Sequence, residues 1–115
     1  MNIYDQANNL SRALKESNEY REYMRLKEIA YEDSTNRALL DEYKKLQFAL
    51  QAKMAAGESL PEDDMTRLNQ IGTLLQLNPD AGAYLLAEFQ YQRLLADVFR
   101  ILADASGIAP EMFMR

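Results

Sequence analysis

An all-α fold is what this chain predicts, and three observations predict it. Apolar residues recur at spacings of three and four along most of the length. Ser, Asp, Asn, Gly and Pro stand where helices start and stop, and the β-branched residues are scattered with no segment alternating at period two. At 115 residues, 48% hydrophobic and 27% charged, the composition is that of one ordinary globular domain. Residues 1–115 are therefore expected to form a single helical domain, an antiparallel hairpin or bundle of about five helical segments with a long C-terminal helix.

The first segment carries Ile3, Ala7, Leu10 and Leu14 on one face, and Ser17 offers an N-cap oxygen to the second. Tyr20, Tyr23, Met24, Lys27 and Ala30 mark a weaker stripe that the capping cluster Asp33-Ser34-Thr35-Asn36 ends. A third helix of about 22 residues follows, with Leu39, Tyr43, Leu46, Leu50 and Met54 as its stripe and Gly57 as a left-handed stop. Ser59-Leu60-Pro61-Glu62 reads as a capping box that opens a fourth helix, whose apolar row is Met65, Leu68, Ile71, Leu74 and Leu75. Asn78-Pro79 closes that helix and begins the fifth, because Asn caps well and proline suits the first helical position; Gly107 ends it. Gly72 and Gly82 lie inside helical patterns, where each costs about 1 kcal/mol relative to alanine, and close approach of a neighbouring helix is the expected reason.

The fifth helix is the most informative. Tyr84, Ala87, Tyr91, Leu94, Val98, Ile101 and Ala105 alternate in steps of three and four, making one apolar seam on a helix roughly 43 Å long. A seam of that length exceeds what the shorter helices can cover, so a second copy or another protein is expected on part of it. Glu88 is the polar group beside the seam, placed to pair across an interface with Arg93 or Arg100 of another helix. Tyr43, Tyr84 and Tyr91 fall on apolar stripes, whereas Tyr20, Tyr23 and Tyr31 sit on the more polar second segment, where a partner-facing patch is the alternative to packing. The apolar tail with Ile108, Met112, Phe113 and Met114 carries no functional reading.

Composition excludes several function classes. Histidine and cysteine are both absent, removing the commonest general base, the best thiol nucleophile and the two most frequent transition-metal ligands together. Catalytic residues, metal ligands and cofactors are accordingly all expected to be none, and the protein is not expected to be an enzyme. Ser17, Ser34 and Ser59 are explained by capping, and Asp63 with Asp64 by the helix dipole. A formal charge of −5 argues against direct binding of nucleic acid. The positive exception is the third segment, where Arg37, Lys44, Lys45 and Lys53 stand against Asp41 and Glu42; the expected reading is a solvated helix face, and the alternative is a basic patch that an acidic partner would recognise. No apolar run approaches the ~18 residues needed to span a bilayer, and the start lacks a basic-then-apolar leader, so a cytoplasmic protein without membrane insertion is expected.

Taken in order, Tyr4-Asp5, Ala13-Leu14-Lys15-Glu16-Ser17 with Glu19-Tyr20, Tyr43-x-x-Leu46-Gln47-x-x-Leu50-Gln51, the Gly57-Glu58 turn and Ala87-Glu88 resemble the YlbF/YmcA family, in its YheA-like branch. That resemblance spans nearly the whole chain. It implies an all-α helical-hairpin fold, commonly dimeric, in cytoplasmic proteins of Gram-positive bacteria. Some relatives regulate competence, sporulation and biofilm formation within a complex of paralogues that assists RNA processing by the membrane-anchored ribonuclease RNase Y. Relatives linked to iron-sulfur clusters use cysteines, and this chain has none, so cluster binding is not carried over. The resemblance thus implies a non-enzymatic regulatory adaptor, whose expected partners are a second copy, paralogues and RNA-processing proteins. The alternative is a self-assembling helical scaffold with no role in RNA processing.

Overall fold

The computed structural model describes residues 2–108, and among them are five helices and no strand: α1 (Ile3–Glu16), α2 (Asn18–Glu32), α3 (Ser34–Ala55), α4 (Glu62–Leu77) and α5 (Pro79–Ser106). The apolar tail read at Met112, Phe113 and Met114 lies outside the described residues.

Local chemistry sets most of the boundaries. The Asn2 side chain accepts the Tyr4 N–H at the start of α1. Ser17 serves both sides of the first corner, donating its hydroxyl to the Leu14 carbonyl at 2.6 Å and accepting the Tyr20 N–H at 3.2 Å. Asp33 caps α3 through the Asn36 N–H at 2.9 Å. At the other end of α3, Gly57 takes φ +72°, its N–H reaches the Met54 carbonyl, and the Glu58 N–H reaches that of Lys53. This pair of bonds satisfies two of the carbonyls a helix end leaves open, and the left-handed residue between them favours glycine. Gly107 repeats the left-handed stop after α5, at φ +73°.

One boundary differs from the expectation. The fourth helix begins at Glu62 with Pro61 in the cap position and no side-chain cap bond, so Ser59-Leu60-Pro61-Glu62 is not a capping box. Proline fixes the extended approach to the helix, and Glu62, Asp63 and Asp64 answer the first-turn N–H groups by their charge instead.

The chain divides into two compact units. Residues 2–24 with 86–108 make the first, and Arg25–Leu85 the second. The second unit holds the large core: Leu40, Ile71, Leu75 and Tyr84 are fully buried, with Ala30, Leu50 and Ala81 beside them in the buried set. Its frame is the antiparallel hairpin of α3 and α4. Tyr43 on α3 lies over Gly72 on α4, where an added Cβ would stand 3.3 Å from the ring, and Gly82 sits where its Cβ would meet the backbone of Gln76 and Leu75 at 3.5 and 3.7 Å. Gly72 therefore marks close approach, as its place in the pattern predicts, whereas the space at Gly82 is that of an ordinary contact. Leu40 is a core residue that the α3 stripe omits, while Met54, Met65 and Leu74 from the predicted rows are exposed.

Candidate interaction surfaces

The long seam is covered unevenly. Tyr84 and Ala87 are buried, Glu88, Tyr91, Leu94 and Val98 are half-buried, and Ile101 and Ala105 are exposed. A straight α-helix drifts about 20° per heptad against a strict 3.5-residue repeat, so a seam drawn over three heptads wraps partly off the face its neighbours cover. Leu102, directly above Tyr84 at five helical turns, is 52% exposed. In the last turns of α5, Ile101, Leu102 and Ala105 are thus exposed, while Ala103 is buried.

Within the second unit, Tyr84 is a junction. Its ring meets Tyr31 edge-on at 5.7 Å between centroids, and its hydroxyl accepts a hydrogen bond from the Lys44 ammonium, which also lies 4.8 Å from the ring centroid. The cation and the aromatic face attract through the ring quadrupole. Within the first unit, Tyr91 meets Tyr20 edge-on and stacks on Tyr23, each at 5.4 Å. Burial, then the neighbouring Tyr20 and Tyr23 phenols, push the Tyr91 phenol above its ordinary range. The tyrosines of the polar second segment are therefore packing groups: Tyr20, Tyr23 and Tyr31 each face an aromatic ring of this same chain.

The four cations of α3 do not form one face. At 100° per residue Lys53 lies roughly 160° around the helix from Arg37. Arg37 is exposed and donates its Nε to the Tyr31 carbonyl, Lys44 is half-buried against Tyr84, and Lys45 is exposed. Lys44 is a packing residue as well as a charge, which corrects the reading of it as a solvated position.

Two polar pairs hold the second unit together and were not singled out in the sequence. Asn36, 94% buried, donates its Nδ2 to Asn78 Oδ1 at 3.2 Å, and that same oxygen caps α5 by accepting the Ala81 N–H at 3.0 Å. Asn78 was legible as a cap, but its partner 42 residues away leaves no local signal. Arg67 on α4 forms a two-pronged ion pair with Glu42 on α3, at 2.8 and 2.9 Å. The hydrogen bonds from Arg67 hold the Glu42 carboxyl below its ordinary range, and Glu42 in turn raises the guanidinium. Among the described residues no group of three or more His, Cys, Asp or Glu is arranged to hold a metal ion, and no helix is long and apolar enough to cross a membrane.

These features define a class: an all-α protein built on a helical hairpin, with aromatic packing inside and apolar side chains exposed on its surface. The profile of the family described as "Control of competence regulator ComK, YlbF/YmcA" matches residues 3–105. The chain is 36% identical to a UPF0342 protein of Caldicellulosiruptor bescii over 97% of its own length and 94% of the relative's. A UPF0342 protein of Halothermothrix orenii is 31% identical, covering 89% and 86% of the two chains. In fold it is similar to a solved protein of unknown function (DUF964) from Bacillus stearothermophilus, with a TM-score of 0.77 at 20% identity, over 91% of this chain and 92% of that one. The chain belongs to the YlbF/YmcA family, a regulatory family by its description.

Proposed function

We propose that this protein is a non-enzymatic regulatory adaptor that works through protein–protein contacts in the cytoplasm, in the control of RNA processing that governs competence, sporulation or biofilm formation. The observation that carries the reading is the family match, which runs through both units instead of stopping at one. A chain without histidine or cysteine suits contact better than chemistry, and its charge of −5 suits protein partners better than RNA. In this reading the protein acts as a homodimer and engages paralogues of its family together with RNA-processing proteins such as RNase Y.

The test is genetic and biochemical together. Deleting the gene should alter the ends of particular transcripts, and the purified protein alone should leave RNA uncut. Transcript ends identical to wild type would remove the adaptor role and leave the scaffold reading, which the exposed apolar side chains of the first unit favour. Nuclease activity that copurifies with the protein and disappears in a point mutant would overturn both.

A further inference from the structure

Three corners of the chain are single residues: Ser17 between α1 and α2, Asp33 between α2 and α3, and Asn78 between α4 and α5. All three are extended, with ψ of 150°, 124° and 119°, and each side chain caps the helix that follows. Two of them are fixed by more than the cap. Pro79 disfavours helical backbone at the residue before it, so Asn78 is held extended. The Asp33 corner is tied to that one, because Asn36, whose N–H Asp33 caps, is buried and reaches Asn78 Oδ1. Ser17 has neither restraint, and the first glycine or proline of the chain comes only at Gly57.

The two sides of the Ser17 corner are also held unequally. On α2, Tyr20 meets Tyr91 edge-on and Tyr23 stacks on the same ring, each at 5.4 Å. On α1 no residue is buried, and Leu10 and Leu14 are only half-buried. A continuous helix would pair the N–H groups of Asn18, Glu19 and Tyr20 with the carbonyls of Leu14, Lys15 and Glu16. In the bent form the Tyr20 N–H is answered by Ser17 Oγ, and the Leu14 carbonyl by the Ser17 hydroxyl and N–H. The bond from the hydroxyl to Leu14 is a back-bond of the kind a serine inside a helix makes, so straightening need not break it. The apolar pattern passes through the corner as well: Leu10, Leu14, Ser17, Tyr20 and Met24 follow in steps of four, three, three and four. We propose that Ser17 is a hinge on which α1 moves between this bent form and one continuous helix with α2, over residues 3–32, and that the movement sets the exposure of the apolar face at Leu10 and Leu14. It goes beyond the adaptor reading and does not depend on it.

Spin-label distances on the full chain test the hinge. The chain has no cysteine, so labels attach only at introduced ones, Asn8→Cys on α1 and Glu28→Cys on α2, both at exposed positions. Double electron–electron resonance reads the distance, with the labelled chain diluted into unlabelled protein so that both labels belong to one molecule. In the continuous helix the two positions stand about 30 Å apart along the axis, and the bent form brings them closer. Ser17→Ala removes the cap of the bent form and should raise the ratio of long to short distance about fivefold, with helix content by circular dichroism equal to or above that of wild type. Asn18→Pro places proline at the first position of α2, copying the Asn78-Pro79 corner, and should retain the short distance alone. One distance common to wild type and Ser17→Ala, short or long, would overturn the hinge. A long distance persisting in Asn18→Pro would overturn Ser17 as its site. Broad distances with loss of helix content in Ser17→Ala would mean that α1 melts instead of swinging, and would overturn the continuous helix. None of these outcomes involves transcript ends, so the adaptor reading stands or falls separately.

Discussion

Asn78 does two jobs with one oxygen, and this makes the consequences of replacing it unequal to those of replacing its partner. In Asn78→Ala the cap of α5 is lost, which costs about 1 kcal/mol. The Asn36 amide, 94% buried, is also left without the acceptor it uses, and an orphaned buried donor costs about 1–3 kcal/mol. The total is about 2–4 kcal/mol, a large part of the ~5–15 kcal/mol that stabilises a typical domain. Asn36→Ala removes the donor instead and leaves Asn78 capping Ala81, so about 1 kcal/mol is expected. Asn78→Asp keeps an acceptor for both N–H groups and adds a negative charge at the start of α5, where the dipole favours it, so stability should equal or exceed that of wild type. Urea unfolding followed by circular dichroism, at one fixed protein concentration, gives the three differences. The double variant should cost less than the sum of the single alanine changes, because Asn36→Ala removes the group that Asn78→Ala would strand. An Asn78→Ala loss no larger than that of Asn36→Ala, or strict additivity, would refute the shared-oxygen argument.

Three further outcomes follow from the described geometry. Gly57→Ala should destabilise by about 1–2 kcal/mol in the same unfolding assay, since φ +72° is strained for any residue with a Cβ even though open space surrounds the site. Lys45→Glu should change stability by no more than about 0.5 kcal/mol, while Lys44→Glu should cost about 1 kcal/mol more, because only Lys44 has a cation–ring contact to lose. The Glu42 carboxyl is held low by Arg67, so its contribution is present above the pKa of the unfolded chain and is lost as pH falls through the lower folded value. Unfolding midpoints measured from neutral to acidic pH should therefore fall less steeply in Glu42→Gln than in wild type, and parallel curves would show that the pair contributes nothing.

Helix existence and nearly every helix end were determined by the sequence alone, because their causes are local. Ser17, Asp33, Gly57, Asn78 and Gly107 act on backbone groups within a few residues of themselves, and each ends or starts a helix where its chemistry requires. The exception at Ser59 is equally local: Pro61 took the cap position, and three carboxylates replaced a hydrogen-bonding cap with charge. Gly72 could be read as a point of close approach because a glycine that costs helix stability needs a neighbour to explain it; the same reasoning at Gly82 met only an ordinary contact.

Tertiary structure decided which residues of each stripe are covered. A periodic row names a face, but depth along that face depends on where the neighbouring helix ends, and this is why Leu40 is buried while Met54 and Leu74 from the predicted rows are exposed. Lys44 reads as a surface charge until Tyr84, 40 residues later in the chain, is brought against it. The same holds for Asn36 and Asn78, and for Glu42 and Arg67, whose pairings depend on the antiparallel course of α3 and α4. The uneven seam of α5 combines both levels. Its repeat is written in the sequence, but the buried start at Tyr84 and the exposed Ile101 and Leu102 depend on which faces of each turn the neighbouring helices cover, as the buried Ala103 between exposed neighbours shows.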